Sequence, residues 1–189
     1  MILNLTNISK KYETNIILRH FDYTFNEGLY LLIGRNGSGK STLLKIISGL
    51  IYPTNSNYII NNVKVAYLCE KNELGNGNIF VFLNSINDLF KSKRNIKEEL
   101  KKWDIPNKNI NKLSKGNKQK SAIIMMSLVD ADVYIFDEPT DALDTKSIGL
   151  FIDLISELIN NKKTIIISTH EKKYFERLKY TEVNFSWWD

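Results

Sequence analysis

The chain has 189 residues and a formal net charge of +5, from 26 Lys and Arg against 21 Asp and Glu, with 43% apolar and 25% charged residues. That composition belongs to a globular domain long enough to bury its own core, and nine glycines with three prolines exclude collagen-like and Pro/Gly-rich disordered chains. A single cysteine, Cys69, excludes an internal disulfide and suits a reducing cytoplasm.

Met1 to Lys11 alternates apolar and polar side chains and lacks the basic start and unbroken apolar stretch of a secretory signal. No apolar run approaches the roughly 20 residues needed to span a bilayer, so a soluble chain is expected, with any membrane part supplied by another polypeptide. Ile2 to Ile8 and Ile17 to Phe25 carry the period-two alternation of half-buried strands, with Lys11 to Asn15 as the polar turn between them. Leu29 to Ile33 is a short apolar strand that breaks into Gly34-Arg-Asn-Gly-Ser-Gly-Lys-Ser41. From Lys40 to Ser48 the spacing of Leu43, Leu44, Ile46 and Ile47 predicts a helix, and Gly49 falls where a helix ends.

Val63 to Leu68 reads as another strand, and Ile79 to Lys112 is Lys-rich with helix-compatible apolar spacing. Val133 to Phe136 and Thr164 to Ser168 are almost wholly apolar, as in strands buried on both faces of a parallel sheet. Between them Ile148 to Ile159 has amphipathic helical spacing, and the strand, helix, strand order implies an α/β sheet. Neither an internal repeat nor a low-complexity linker is present, so a single domain is expected.

The basic excess is local. Lys91 to Lys120 holds eleven Lys or Arg against Glu98, Glu99 and Asp104. A solvated lobe accounts for it most simply, and a docking surface for an acidic partner or lipid headgroups comes next. Nucleic acid is not expected, because Trp103, with Phe90 just before the stretch, is all the aromatic content there and base-stacking platforms need more. Trp103, Trp187 and Trp188 read as packing residues. His20, in an alternating strand, receives no role.

Gly34 to Ser41 fits G-x-x-x-x-G-K-[ST]. Its glycines let backbone amides turn inward around phosphate oxygens, and the following helix aims its positive end at the same point. Lys40 would bridge the terminal phosphates, and Ser41 would offer its hydroxyl to Mg2+. The Val133 to Glu138 strand ends in two adjacent carboxylates: Asp137 would help hold the metal, and Glu138 would orient and deprotonate an attacking water. His170 follows the Thr164 to Thr169 run, so it emerges at the carboxyl edge of the sheet, where a phosphate-sensing role is expected.

With these motifs in this order, the chain resembles the nucleotide-binding subunit of an ABC-type ATPase over nearly its whole length. Gly34 to Thr42 resembles the Walker A segment and Val133 to Glu138 the Walker B segment with its catalytic acid. Leu113-Ser-Lys-Gly-Asn117 sits at the family signature, Ala142-Leu-Asp144 resembles the D-loop, and His170 the switch histidine. The resemblance implies a P-loop NTPase cassette with a mostly parallel sheet core, an antiparallel β element at the N-terminus and a short inserted helical lobe. The implied boundaries are one domain over 1–189, with its core at 1–78 and 121–189 and its lobe at about 79–120.

The resemblance also implies ATP and Mg2+ as ligands. Tyr12 would stack on adenine, and Gly34, Asn36, Gly37, Ser38, Gly39, Lys40, Ser41 and Thr42 would cradle the phosphates. Glu138, His170 and Lys40 would carry catalysis, with Ser41, Glu70 and Asp137 around the metal. Ser114, Gly116, Asn117 and Asp144 would meet nucleotide held by a second copy or a sister cassette, so a head-to-tail dimer is implied. Such a dimer would sit peripherally on the inner face of the cell membrane and drive a separately encoded integral permease. The compact cassette resembles small bacterial exporters of peptides or antibiotics. Three departures from the family pattern bear on turnover and on the lobe: Lys115 replaces the first signature glycine and Asn117 its glutamine, Glu70 replaces the glutamine of the Q-loop, and the stretch from Glu70 to the signature at Leu113 is short by the family's standard. Two other readings stand beside transport, namely a soluble ABC-type ATPase acting on ribosomes, DNA or an assembly complex, and a regulatory subunit with weak turnover.

Overall fold

In the computed structural model, which describes residues 3–54, 63–71 and 74–185, two strands open the chain as an antiparallel ribbon: β1 (Leu3–Tyr12) and β2 (Asn15–Phe25). Their turn is tighter than the expected Lys11 to Asn15, because Tyr12 pairs directly with Asn15 and Glu13 takes a positive φ of 51°. Register shifts between Leu5 and Lys11 bulge the ribbon, with Asn7 and His20 also at positive φ. Bulges bend a strand, so the ribbon departs from a flat two-stranded form.

Five parallel strands form the second sheet: β3 (Gly28–Ile33), β4 (Val65–Leu68), β5 (Val133–Asp137), β6 (Thr164–Ser168) and β7 (Tyr180–Asn184), in the order β4-β5-β6-β3-β7. Every residue of β5 and β6 is buried, which is why their sequences are continuous apolar runs. Alternate residues feed two cores. Tyr30, Leu32, Val133, Ile135 and Ile166 face the ribbon and α1 (Lys40–Ile47). Leu29, Leu31, Tyr134, Phe136, Ile165 and Ile167 face the opposite layer.

That opposite layer contains α2 (Ile79–Leu89), α3 (Ile96–Lys102), α4 (Lys115–Leu128) and α5 (Thr145–Asn160). The continuous helical spacing read over Ile79 to Lys112 is thus divided into α2, α3 and a short 3-10 turn at Ile110–Lys112. Asn95 and Asn109 supply the breaks, since each side chain accepts from the first amides of the helical segment that follows, as Asn78 does at the start of α2. Trp103 is buried in this layer, as expected of a packing residue, whereas Trp187, Trp188 and Ile2 lie outside the described residues. Among the described residues no helix is long and apolar enough to cross a membrane.

The strand order places the ends of β5, β6 and β3 side by side. Three loops therefore leave one edge of the sheet together: residues 34–39 after β3, Glu138 after β5, and Thr169 with His170 after β6. Ligands of open α/β sheets gather at such carboxyl ends.

Candidate functional site

Between β3 and α1 the chain turns on glycines. Gly37 and Gly39 have φ of +83° and +98°, values that L side chains rarely adopt. A Cβ on Gly39 would also stand 2.9 Å from the Ile17 carbonyl, whereas one on Gly37 would meet nothing within 4 Å. Gly39→Ala should therefore cost roughly 2 kcal/mol or more, from left-handed strain plus overpacking, and Gly37→Ala less, from strain alone. Thermal unfolding of the two variants checks this, and equal midpoints would contradict the close approach of Ile17.

At its N-terminus α1 has no side-chain cap, unlike α2, α3, α4 and α5, so its first amides remain turned toward the loop. Ser38 Oγ is buried without a partner. The Lys40 ammonium is 6% exposed as a residue and donates to the carbonyls of Gly34 at 2.7 Å and Arg35 at 3.1 Å. Burial pulls its pKa below the usual lysine range, and the negative charges of Glu138 and Asp137 oppose that shift.

Across the loop lie the two acids of β5. Asp137 Oδ1 accepts from Ser168 Oγ at 2.5 Å and from Ser41 Oγ at 3.2 Å, and its Oδ2 accepts from the Tyr67 hydroxyl at 3.3 Å. Burial, with the adjacent Asp137 charge, pushes the Tyr67 phenol well above its ordinary range, so it stays a donor. Glu138 takes a positive φ of 48° and its side chain lies 3.1 Å from His170 Nε2. Burial raises the Glu138 pKa, while His170 and Lys40 pull it back and Asp141 and Asp137 push it up.

These groups surround a cavity of about 570 Å³. Tyr12, Asn36, Gly37, Ser38, Gly39, Lys40, Ser41, Thr42, Glu70, Glu138 and His170 line it, so most of the residues singled out in sequence share one space. Gly34 and Asp137 lie behind that wall, where Gly34 meets Phe185 and Ser38 closely and Asp137 reaches the site through Ser41. Tyr12 is 47% exposed at the end of the ribbon, with Lys10 Nζ 4.9 Å above its ring. Ile17, Thr140, Asp141 and Glu171 also line the cavity and were not singled out in sequence.

Ser114, Gly116, Asn117 and Asp144 do not line it. Ser114 caps α4, accepting from the Asn117 amide at 3.2 Å. Asp144 caps α5 through Ser147 and accepts from Lys120 at 2.7 Å, and these donors hold it far below the usual carboxylate range. The start of α4 lies tight against the Ala142 segment, since a Cβ on Gly116 would stand 2.8 Å from the Ala142 carbonyl. Gln119 adds a hydrogen bond to the Pro139 carbonyl at 2.9 Å. Sequence reading did not single out Tyr67, Ser168, Gln119 or Lys120. None of the four carried a local signal, because their partners lie far off in the chain or, for Lys120, because only packing buries it.

The cavity suits a nucleotide triphosphate tail. Inward amides, a buried unpaired hydroxyl and an ammonium resting on carbonyls are donors that lack an anion, and phosphate is the anion that they fit. Ser41 and Asp137 supply a hydroxyl and a carboxylate, hard oxygen donors of the kind that Mg2+ takes beside phosphate. Fold and site together define a P-loop nucleotide-binding cassette.

The ABC transporter family matches residues 18–141. An uncharacterized ABC transporter ATP-binding protein of Methanocaldococcus jannaschii is 33% identical over 186 residues, covering 93% of this chain and 71% of that protein. The ribosome protection protein VmlR of Bacillus subtilis is 28% identical over 93% of this chain, which spans 29% of its length. Among solved structures, a dimeric ATP-binding cassette in a post-hydrolysis state, bound to ADP and Pi, superposes with a TM-score of 0.79 at 22% identity, covering 98% of this chain and 95% of that one. The chain belongs to the ABC transporter family. Within it, this is an ATP-binding, ATP-hydrolysing cassette.

Proposed function

We propose that the chain works as a dimer, with a second copy or a sister cassette, at the inner face of the cell membrane, where it drives a separately encoded permease that exports a peptide or small molecule. The observation that carries the dimer is the division of the motifs. The phosphate loop, Glu138 and His170 share one cavity, while Ser114 and Gly116 at the start of α4 stand outside it. The Ser114 cap occupies the Asn117 amide, and the positive end of α4 with its remaining first-turn amides is suited to a terminal phosphate presented by another chain.

In this reading Lys40 and the loop amides grip the phosphates, and Ser41 and Asp137 hold Mg2+. Bound there, the ion would neutralise charge that develops on the phosphates. Glu138 orients and deprotonates the attacking water, and His170, 3.1 Å from it, couples the terminal phosphate to that carboxylate. Residues 79–120 form the inserted lobe, and 1–78 with 121–189 form the ATP-binding core.

Transport is supported by relatives described as ABC transporter ATP-binding proteins. A second reading, action on the ribosome, is favoured by the likeness to VmlR and by the lysine-rich stretch from Lys91 to Lys120. Co-purification separates them. Transport predicts that an integral membrane protein is recovered with the chain from solubilised membranes. Ribosome binding that weakens steeply with salt, with no integral protein recovered, would overturn transport in favour of the rival.

A further inference from the structure

Ser168 is wholly buried at the end of β6, directly beside Asp137 in the parallel register. Its hydroxyl has one proton, and that proton goes to Asp137 Oδ1 at 2.5 Å. Its lone pairs accept the Glu138 amide at 3.0 Å, and its carbonyl lies 3.2 Å from that same amide. One side chain thus touches both acids, at the carboxylate of the first and the backbone of the second.

The second contact falls where the backbone is strained. Glu138 stands at φ 48°, a left-handed conformation that a non-glycine residue keeps only when its surroundings hold it. That conformation directs its side chain to His170 Nε2. Ser168, Thr169 and His170 are consecutive, so a single strand end holds Asp137 and Glu138 and carries their histidine neighbour.

The donors to Asp137 are not equivalent. Ser41 Oγ lies at 3.2 Å from Oδ1 and Tyr67 at 3.3 Å from Oδ2, both longer than the Ser168 bond. In the proposed function Ser41 would offer its hydroxyl to a cation beside the phosphates. Asp137 Oδ1 would then lose that donor and keep Ser168. We propose that Ser168 is the positioning residue of this site: its hydroxyl fixes the Asp137 carboxylate toward the cation while its oxygen anchors the Glu138 backbone. Outer partners of this kind typically change metal affinity by 10- to 100-fold.

This inference rests on the reading of Asp137 as a holder of Mg2+, and the test separates the two. Ser168→Cys fills much of the same space with a poor donor. Mn2+ binding to the ADP-loaded chain, followed by electron paramagnetic resonance, should weaken roughly 10-fold or more in that variant. ADP affinity in excess EDTA and the unfolding midpoint should stay near the parent values. Parental Mn2+ affinity in Ser168→Cys, or a parallel fall in metal-free ADP affinity, would overturn the positioning role. Asp137→Asn is the companion: if it binds Mn2+ as the parent does, the metal reading itself fails, whereas loss in Asp137→Asn without loss in Ser168→Cys removes only the inference about Ser168.

Discussion

Glu138→Gln is expected to reduce steady-state ATP hydrolysis by roughly 10²- to 10⁴-fold, the usual contribution of a positioned general base. ATP binding should survive, because the phosphate loop and Lys40 are untouched, and the bound dimer should accumulate since it cannot turn over. Phosphate release measures the first effect, and size-exclusion chromatography with ATP measures the second. Glutamine keeps the side-chain size and the contact with His170, so the loss isolates the proton-accepting oxygen. Turnover equal to the parent would remove Glu138 from the base role.

The pH dependence of the parent follows from the same group. A base acts deprotonated, and burial raises the Glu138 pKa above the ordinary glutamate value. Hydrolysis should therefore climb with pH through an acid limb that lies above the usual carboxylate range, and Glu138→Gln should lose that limb. His170 and Lys40 beside it lower the Glu138 pKa and limit how far the limb moves.

Lys40→Ala should weaken ATP binding on the order of 10- to 100-fold, as expected for losing one charge-assisted contact to phosphate. Fluorescence titration with a nucleotide analogue measures it. The ammonium rests on the Gly34 and Arg35 carbonyls, so its removal also takes two internal hydrogen bonds from the loop. Lys40→Met, which keeps the apolar stem but not the charge, should lose affinity to a similar extent. Unchanged binding in both would undo the assignment of residues 34–42 to phosphate.

The elements with the strongest local patterns were legible as sequence. β5 and β6 are wholly buried, so each is an apolar run, and α1 and α5 bury one stripe each, so each shows helical spacing. Less of the chain was legible where burial is atypical. Most of α4 from Gln119 onward is buried on several sides, including Gln119, Lys120 and Ser121, so no single apolar stripe marks it. As an edge strand with only Val183 buried, β7 shows almost no alternation. The turn at Glu13 was placed too broadly because nothing in its composition marks a positive φ at glutamate.

The phosphate loop, the paired acids and the histidine at a strand end were determined by sequence, because each depends on residue type at short spacing: glycines for positive φ, a lysine and a serine at a helix start, carboxylates closing an apolar run. Tertiary structure alone decided that Ser41, Tyr67, Asp137 and Ser168 meet at one carboxylate, and that Lys120 is buried against Asp144. Those contacts join residues up to 96 positions apart. No local pattern encodes them, since they arise from the order in which parallel strands lie side by side.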